Sequence, residues 1–281
     1  MAPEVLLVAF GLISALSWGL ADFSGGLASR RSPVLGIVFV SQVIGGPLAL
    51  VLALALAQPL PSWPDVAWAL LAGTFGPGAL VCFYRALAVG RMNVVAPITG
   101  VVSAAIPVAV TAAILGLPAP APLAGIGLAL VSVGLVTQAA GSTSGGKQGI
   151  GLAFLAGCGF GAFFLALAQV GPASIFWSLA VVRVSDGLLL AVAVRLSRRP
   201  WRPDRSVARL VVVAGVLDMG GNLWFLLASQ QGRIDIAAVL SSLYPVATVF
   251  LSTLLLREPM RRLQVAGVVT GVVAIWLIGS G

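Results

Sequence analysis

Apolar runs of roughly twenty residues, the length a helix needs to cross a bilayer, follow one another along the whole 281-residue chain, parted by short polar connections. Ten can be marked, over 4–27, 33–57, 65–89, 93–115, 122–140, 149–169, 172–196, 206–229, 235–256 and 261–278. The pattern predicts an all-α polytopic membrane protein with ten transmembrane helices. Connections such as Ser29-Arg30-Arg31-Ser32, Gln58-Pro59-Leu60-Pro61 and Gly116-Leu117-Pro118 are punctuated by Pro, Gly or Arg, and none is long enough to fold as a soluble domain.

The hydropathy pattern repeats. Ala86 to Asn93 returns as Ala228 to Asp235, each copy ending an apolar run at Gly (Gly90, Gly232), following it with Arg (Arg91, Arg233) and opening the next run at Asn93 or Asp235. Gly is favoured past a helix end because it enters the left-handed region without a Cβ clash, and Asn or Asp caps the next helix, so each copy is expected to be a tight helix–helix turn. The two glycines lie 142 residues apart, and that offset holds without a gap through Trp18/Phe160, Gly19/Gly161, Gly45/Gly187, Gly73/Gly215, Gly78/Gly220, Phe83/Phe225, Thr111/Thr253 and Gly125/Gly267. The expected organisation is a first five-helix repeat over 1–141, a Gly/Ser linker over 142–148 and a second five-helix repeat over 149–281.

An odd number of helices per repeat makes the second enter the membrane inverted, and the charges bear on this. Arg30, Arg31, Arg91, Lys147, Arg198, Arg199, Arg202, Arg205, Arg257, Arg261 and Arg262 all fall in or beside connections on one side of a ten-helix zigzag, while the other side carries essentially Arg233. The crowded side is expected to be cytoplasmic, which places both termini on the non-cytoplasmic side of the plasma membrane. Only Arg91 and Arg233 keep their charge in both copies, which suits a role in turn stability or gating.

Composition sharpens the class. With 59% hydrophobic and 9% charged residues and a mean hydropathy of +1.10, the chain lies far from soluble domains, where about 25% charged is usual. The net charge of +8 would suggest nucleic acid in a soluble protein, but the basic residues sit between apolar runs, so lipid rather than nucleic acid is the expected partner. There is no histidine, and Cys82 and Cys158 lie within apolar runs without metal-ligand spacing, so no metal or cofactor is expected. Any proton coupling has to use carboxylates. The start Met1-Ala2-Pro3-Glu4 lacks a basic leader, and the first run is expected to be retained as a helix.

Trp18-Gly19 in the first run, Val95-Ala96-Pro97-Ile98, Tyr244-Pro245-Val246 and Leu256-Arg257-Glu258-Pro259, set in two five-helix repeats, resemble the drug/metabolite transporter superfamily and its EamA-type members. The resemblance implies a basket of helices around a central cavity, alternating access, and export of a small metabolite such as an amino acid, amine or drug-like compound, with proton coupling in view. A departure is Gly116-Leu117, where the second repeat has Glu258-Pro259. The expected function is a secondary active transporter; the alternative is a channel or facilitator for a small solute. No phosphate-binding loop is present, so ATP drive would need another subunit, and no His, Cys pair or Ser–base arrangement supports an intramembrane enzyme. A homodimer is left open.

Charges inside apolar helices cost at least about 2.5 to 3.5 kcal/mol each on insertion scales, which makes them functional candidates. Arg183 and Asp186, spaced i,i+3, share a face of the seventh helix, and Asp218 and Asn222 share a face of the eighth. Arg183 would meet an anionic group of the substrate, and Asp186 or Asp218 would bind an amine or a coupling proton; alternatively the three charges only satisfy one another and tie the two helices together. Their first-repeat counterparts are Ser41, Ile44, Gly76 and Leu80, so the charged site is expected in the second half alone. Asp22 is a further proton-coupling candidate, although at roughly 9 Å from its helix end it also reads as a residue that snorkels or meets Arg30. Trp18 is a candidate to stack on a ring or cation. Pro97, Pro107 and Pro245 can loosen helices, and Thr99, Ser103, Ser241, Ser242 and Tyr244 beside them are expected to line the cavity, with Ser241 and Tyr244 as binding candidates. Trp63, Trp68 and Trp201 are expected as interfacial anchors.

Overall fold

A computed structural model of the protein describes residues 2–90, 92–138, 146–198, 200–256 and 262–279. Every regular element among them is helical: α1 Pro3–Ser29, α2 Val34–Ala55, α3 Trp63–Val89, α4 Met92–Leu115, α5 Pro120–Gln138, α6 Gly146–Leu167, α7 Ile175–Ser197, α8 Ala208–Ser229, α9 Ile234–Ser241, α10 Tyr244–Leu256 and α11 Arg262–Gly279. Seven helices are long and apolar enough to cross a membrane, and Pro120–Ser132, Ile234–Thr248 and Val265–Ala274 are shorter apolar stretches. The helix ends follow ordinary chemistry. Pro3 and Glu4 occupy the first turn of α1, where a missing N–H costs nothing and a negative charge suits the dipole. The Ser62 hydroxyl accepts from the Asp65 N–H to start α3. Short 3-10 turns, Pro172–Ser174 and Arg205–Val207, lead into α7 and α8.

The ninth apolar run differs from the uninterrupted helix its pattern predicts, because it breaks at Ser242 and Leu243 between α9 and α10. Pro245 explains the break: it cannot donate to the helix ladder, and its ring crowds the carbonyl four residues back, on Ser241. Ser103 stands at the matching place in α4 and donates its hydroxyl to the Gly100 carbonyl at 3.0 Å, and α4 runs unbroken through Pro97 and Pro107.

The turn after α3 also differs from expectation. Gly90 is extended (φ −113°, ψ −175°) rather than left-handed, and the left-handed positions among the described residues are Ala57, Arg198 and Gly116. Gly90 is small for packing reasons: a Cβ there would lie 2.9 Å from the Ala86 carbonyl and from the Val95 side chain, with Gly149 just beyond. Nor does Asp235 cap α9. Arg233 is the capping residue, without a side-chain bond, and Asp235 lies fully buried in the first turn, paired with the Arg233 guanidinium at 2.9 Å. Asn93 is already inside α4. Arg91, most of the linker, and Arg257 to Arg261 lie outside the described residues.

Small residues let the helices approach closely, the usual device where lipid removes the hydrophobic drive between helices. Gly19 of α1 sits against Ala247 and the Tyr244 carbonyl of α10, and Gly161 of α6 sits against Ile106 and the Ser103 carbonyl of α4. The helix pairings are related in the same way. α1 packs on α8 and α6 on α3; α1 packs on α9 and α10 and α6 on α4; α2 packs on α8 and α7 on α3; α2 meets α7 and α5 meets α11. Exchanging the first five helices for the rest maps each pairing onto another or onto itself.

Contacts between connections sort into two ends. At one, Gln58 accepts from the Phe176 N–H at 2.9 Å, Asp65 accepts from the Gly171 N–H at 2.8 Å, Gln230 donates to the Val170 carbonyl at 3.3 Å, and Arg233 donates to the Gly116 carbonyl at 2.7 Å. At the other, the Asp204 N–H donates to the Ser32 hydroxyl at 2.8 Å, and Trp201 meets Phe39 edge-on. The Ser206 N–H, bonded to the Asp204 carboxylate in that exposed loop, holds the acid below its ordinary pKa.

Candidate functional site

Small residues also decide where the large ones go. A Cβ on Gly221 would overlap the Trp18 indole, one on Gly25 would overlap the Tyr84 ring, and one on Gly45 would lie 2.9 Å from the Arg183 Nε. Trp18 is thereby seated against α8, stacked on Phe164 at 5.3 Å, which in turn stacks on Phe225 at 4.8 Å. The contact of Trp18 with Phe225 has its counterpart, at the 142-residue offset, in the contact of Phe160 with Phe83.

These rings border a cavity in the bundle, with about 490 Å³ of empty space counting its open mouth. One wall is apolar: Trp18 of α1, Leu80 of α3, and Phe160, Phe163 and Phe164 of α6. The other is polar: Gln42 of α2, Arg183 and Asp186 of α7, and Asp218 and Asn222 of α8, with Asp22, Gly76 and Tyr244 completing the lining. Four pairs of positions at the repeat offset face this one space: Trp18 and Phe160, Asp22 and Phe164, Gly76 and Asp218, Leu80 and Asn222.

The charges form a connected cluster. Arg183 is buried and binds two carboxylates, through Nη1 to Asp186 Oδ2 at 3.2 Å and through Nη2 to Asp218 Oδ2 at 2.8 Å. Gln42 Nε2 donates to the same Asp218 oxygen at 3.2 Å. One residue each from α2, α7 and α8 is thus tied at Asp218. The cluster is incompletely satisfied: Gln42 Oε1, Arg183 Nε, Asp186 Oδ1 and the Tyr244 hydroxyl are buried and have no hydrogen-bond partner among the described residues. Buried polar groups left unpaired are uncommon in folded proteins and call for an explanation.

Of the candidates marked in the sequence, Arg183, Asp186, Asp218, Asn222, Trp18, Tyr244 and Asp22 come together around the cavity. Asp22 neither snorkels nor reaches Arg30. It is 7% exposed and faces inward, without a hydrogen bond or ion pair to any described residue. Ser241 is fully buried but lies outside the lining. Thr99, Ser103 and Ser242 are also turned away, because helix contacts occupy them: Thr99 donates to the Val95 and Ala153 carbonyls, and Ser103 meets the Ser242 hydroxyl at 3.3 Å. Gln42 and the Phe163–Phe164 pair were not marked. A lone Gln and a run of Phe inside apolar helices carry no charge penalty to flag them. Trp63 is 85% and Trp68 39% exposed, and Trp224 packs on Phe10 at 5.5 Å.

Residues 147–280 match the EamA-like transporter family. A solved crystal structure of a protein is 18% identical in sequence with a TM-score of 0.74, covering 97% of this chain and 96% of that chain, which establishes a shared fold over nearly the full length. No curated protein matches the chain. The match meets the resemblance carried by Tyr244-Pro245 in the second half: residues 147–280 carry an EamA-like transporter region, in a chain with several helices long and apolar enough to cross a membrane.

Proposed function

We propose that the protein is a secondary active transporter that moves a small metabolite through the central cavity by alternating access. The observation that carries this is the meeting of four offset-related pairs, such as Gly76 with Asp218 and Trp18 with Phe160, around one space in the middle of the bundle. Inverted-repeat transporters bind substrate at the repeat interface near the midplane. Two repeats of five spanning helices, over 1–141 and 149–281 and inverted to one another, account for the interchangeable helix pairings and for connections that touch only at matching ends. In this reading both termini lie outside the plasma membrane, Arg183, Asp186, Asp218, Asn222, Trp18 and Tyr244 contact substrate, and protons exchange at Asp22, Asp186 or Asp218. The direction of transport is outward, by likeness to the family. Purified protein in proteoliposomes is expected to give saturable uptake and counterflow of labelled substrate. Ohmic current without counterflow would replace the carrier with a channel.

A further inference from the structure

We propose that the cavity selects a small organic cation bearing N–H donors and an apolar body, a primary amine or guanidine, over the corresponding anion or zwitterion. This rests on the cavity being the transport site. Three carboxylates, Asp22, Asp186 and Asp218, line the space with one guanidinium. That guanidinium is already engaged, since Nη1 and Nη2 each hold an aspartate, and its Nε points to the wall at Gly45. An anionic group therefore finds no free cation and meets carboxylates instead.

The unmatched groups are mostly acceptors: among the described residues Asp186 Oδ1 and Gln42 Oε1 are buried without partners, and Asp22 makes no hydrogen bond or ion pair. A ligand that satisfies them has to donate hydrogen bonds, and beside carboxylates a positively charged donor suits best, which an ammonium or guanidinium is and a quaternary ammonium, lacking N–H, is not. Gly76 lines the cavity next to these acceptors, and a Cβ there would sit 3.6 Å from Asp186 Oδ1 and 3.3 Å from the Phe163 ring, in the path of a donor approaching that oxygen. Phe163, Phe164 and Trp18 line the same cavity and give it an aromatic wall that covers an apolar body. A metal ion is the poorer fit, since among the described residues no three acidic or Cys groups converge as a metal cluster.

The test is binding to the full-length purified protein by calorimetry, with phenethylamine, trimethyl(phenethyl)ammonium, phenylalanine and 3-phenylpropanoate as probes, followed by counterflow of each in proteoliposomes. Phenethylamine is expected to bind about tenfold or more tighter than the other three. Asp22→Asn, at a residue with no partner to lose, is expected to weaken phenethylamine about fivefold or more with an unchanged melting temperature, and Gly76→Val is expected to abolish its binding. Equal or tighter binding of phenylalanine or 3-phenylpropanoate, no phenethylamine binding to folded protein, or an Asp22→Asn variant with unchanged affinity overturns the proposal. Counterflow of phenylalanine without phenethylamine sinks the amine preference and leaves the carrier standing. Phenethylamine binding with ohmic current and no counterflow keeps the cation site and sinks the carrier.

Discussion

At the scale of single residues, the Arg183 cluster ties α2, α7 and α8 together with the same atoms that are proposed to meet substrate. Arg183→Gln leaves Asp186 and Asp218 buried without their cation, a change expected to destabilise the protein by about 3–5 kcal/mol, visible as a lower melting temperature together with lost transport. Asp218→Asn keeps an oxygen for Gln42 and Arg183 at nearly the same volume, and is expected to abolish transport while the protein still folds; wild-type transport rates in this variant would make Asp218 a structural residue only. Gly45→Ala forces the guanidinium to move, and is expected to reduce initial transport rates with little loss of folded protein. Which charges matter was legible in the sequence, because a charge in an apolar helix is conspicuous on energetic grounds. Which neighbours complete them was not. Gln42 reaches Asp218 only through the packing of α2 against α8, and Asp22 faces the cavity rather than the interface by a rotation of α1 that depth alone cannot fix.

At the scale of elements, most boundaries follow from the apolar runs and from the Pro, Gly and Ser that end them. The exception is the break between α9 and α10. Proline inside an apolar run signals a loosened helix but not how far it opens: α4 passes through two prolines intact, whereas Pro245 coincides with a break. Pro245→Ala restores a donor at the break and is expected to join α9 to α10, raising thermal stability and slowing transport if the discontinuity is needed for motion. Hydrogen exchange over 238–248 would read the change directly, and unaltered exchange would show that the neighbours Gly19 and Ser103, not the proline, hold the break open. The turn glycines carry a related lesson. Gly90 is crowded by the Ala86 carbonyl and Val95, whereas a Cβ on Gly232 would meet only the end of the Leu7 side chain at 3.2 Å, and a preference for glycine looks the same in sequence whether its origin is conformational or steric.

For the whole molecule, pairings such as α1 with α8 and α3 with α6, and the ring contacts Trp18–Phe225 and Phe83–Phe160, lie at the same 142-residue offset as the sequence matches, which no composition argument could supply. Orientation rests on the distribution of arginines. A cysteine placed in the 198–205 loop is expected to be protected from a membrane-impermeant thiol reagent in intact cells, and labelling there would reverse the assigned faces. The Arg233 bond to the Gly116 carbonyl joins two connections at the opposite end, and Arg233→Ala is expected to loosen that end and alter the rate of counterflow without altering the affinity of the cavity.

Arg183, Asp186, Asp218 and Asn222 belong to α7 and α8, while the matching positions in α2 and α3 are Ser41, Ile44, Gly76 and Leu80. In a carrier whose halves trade roles between its two open states, perfect duplication would make those states mirror images of equal energy. With Arg183, Asp186 and Asp218 on one half and Asp22 on the other, the two states of such a carrier would sit differently in the transmembrane field, where each elementary charge moved is worth about 2.3 kcal/mol per 100 mV. If the protein is the carrier proposed above, its resting population would be set by voltage as well as by substrate, and an energised membrane would bias which face waits open.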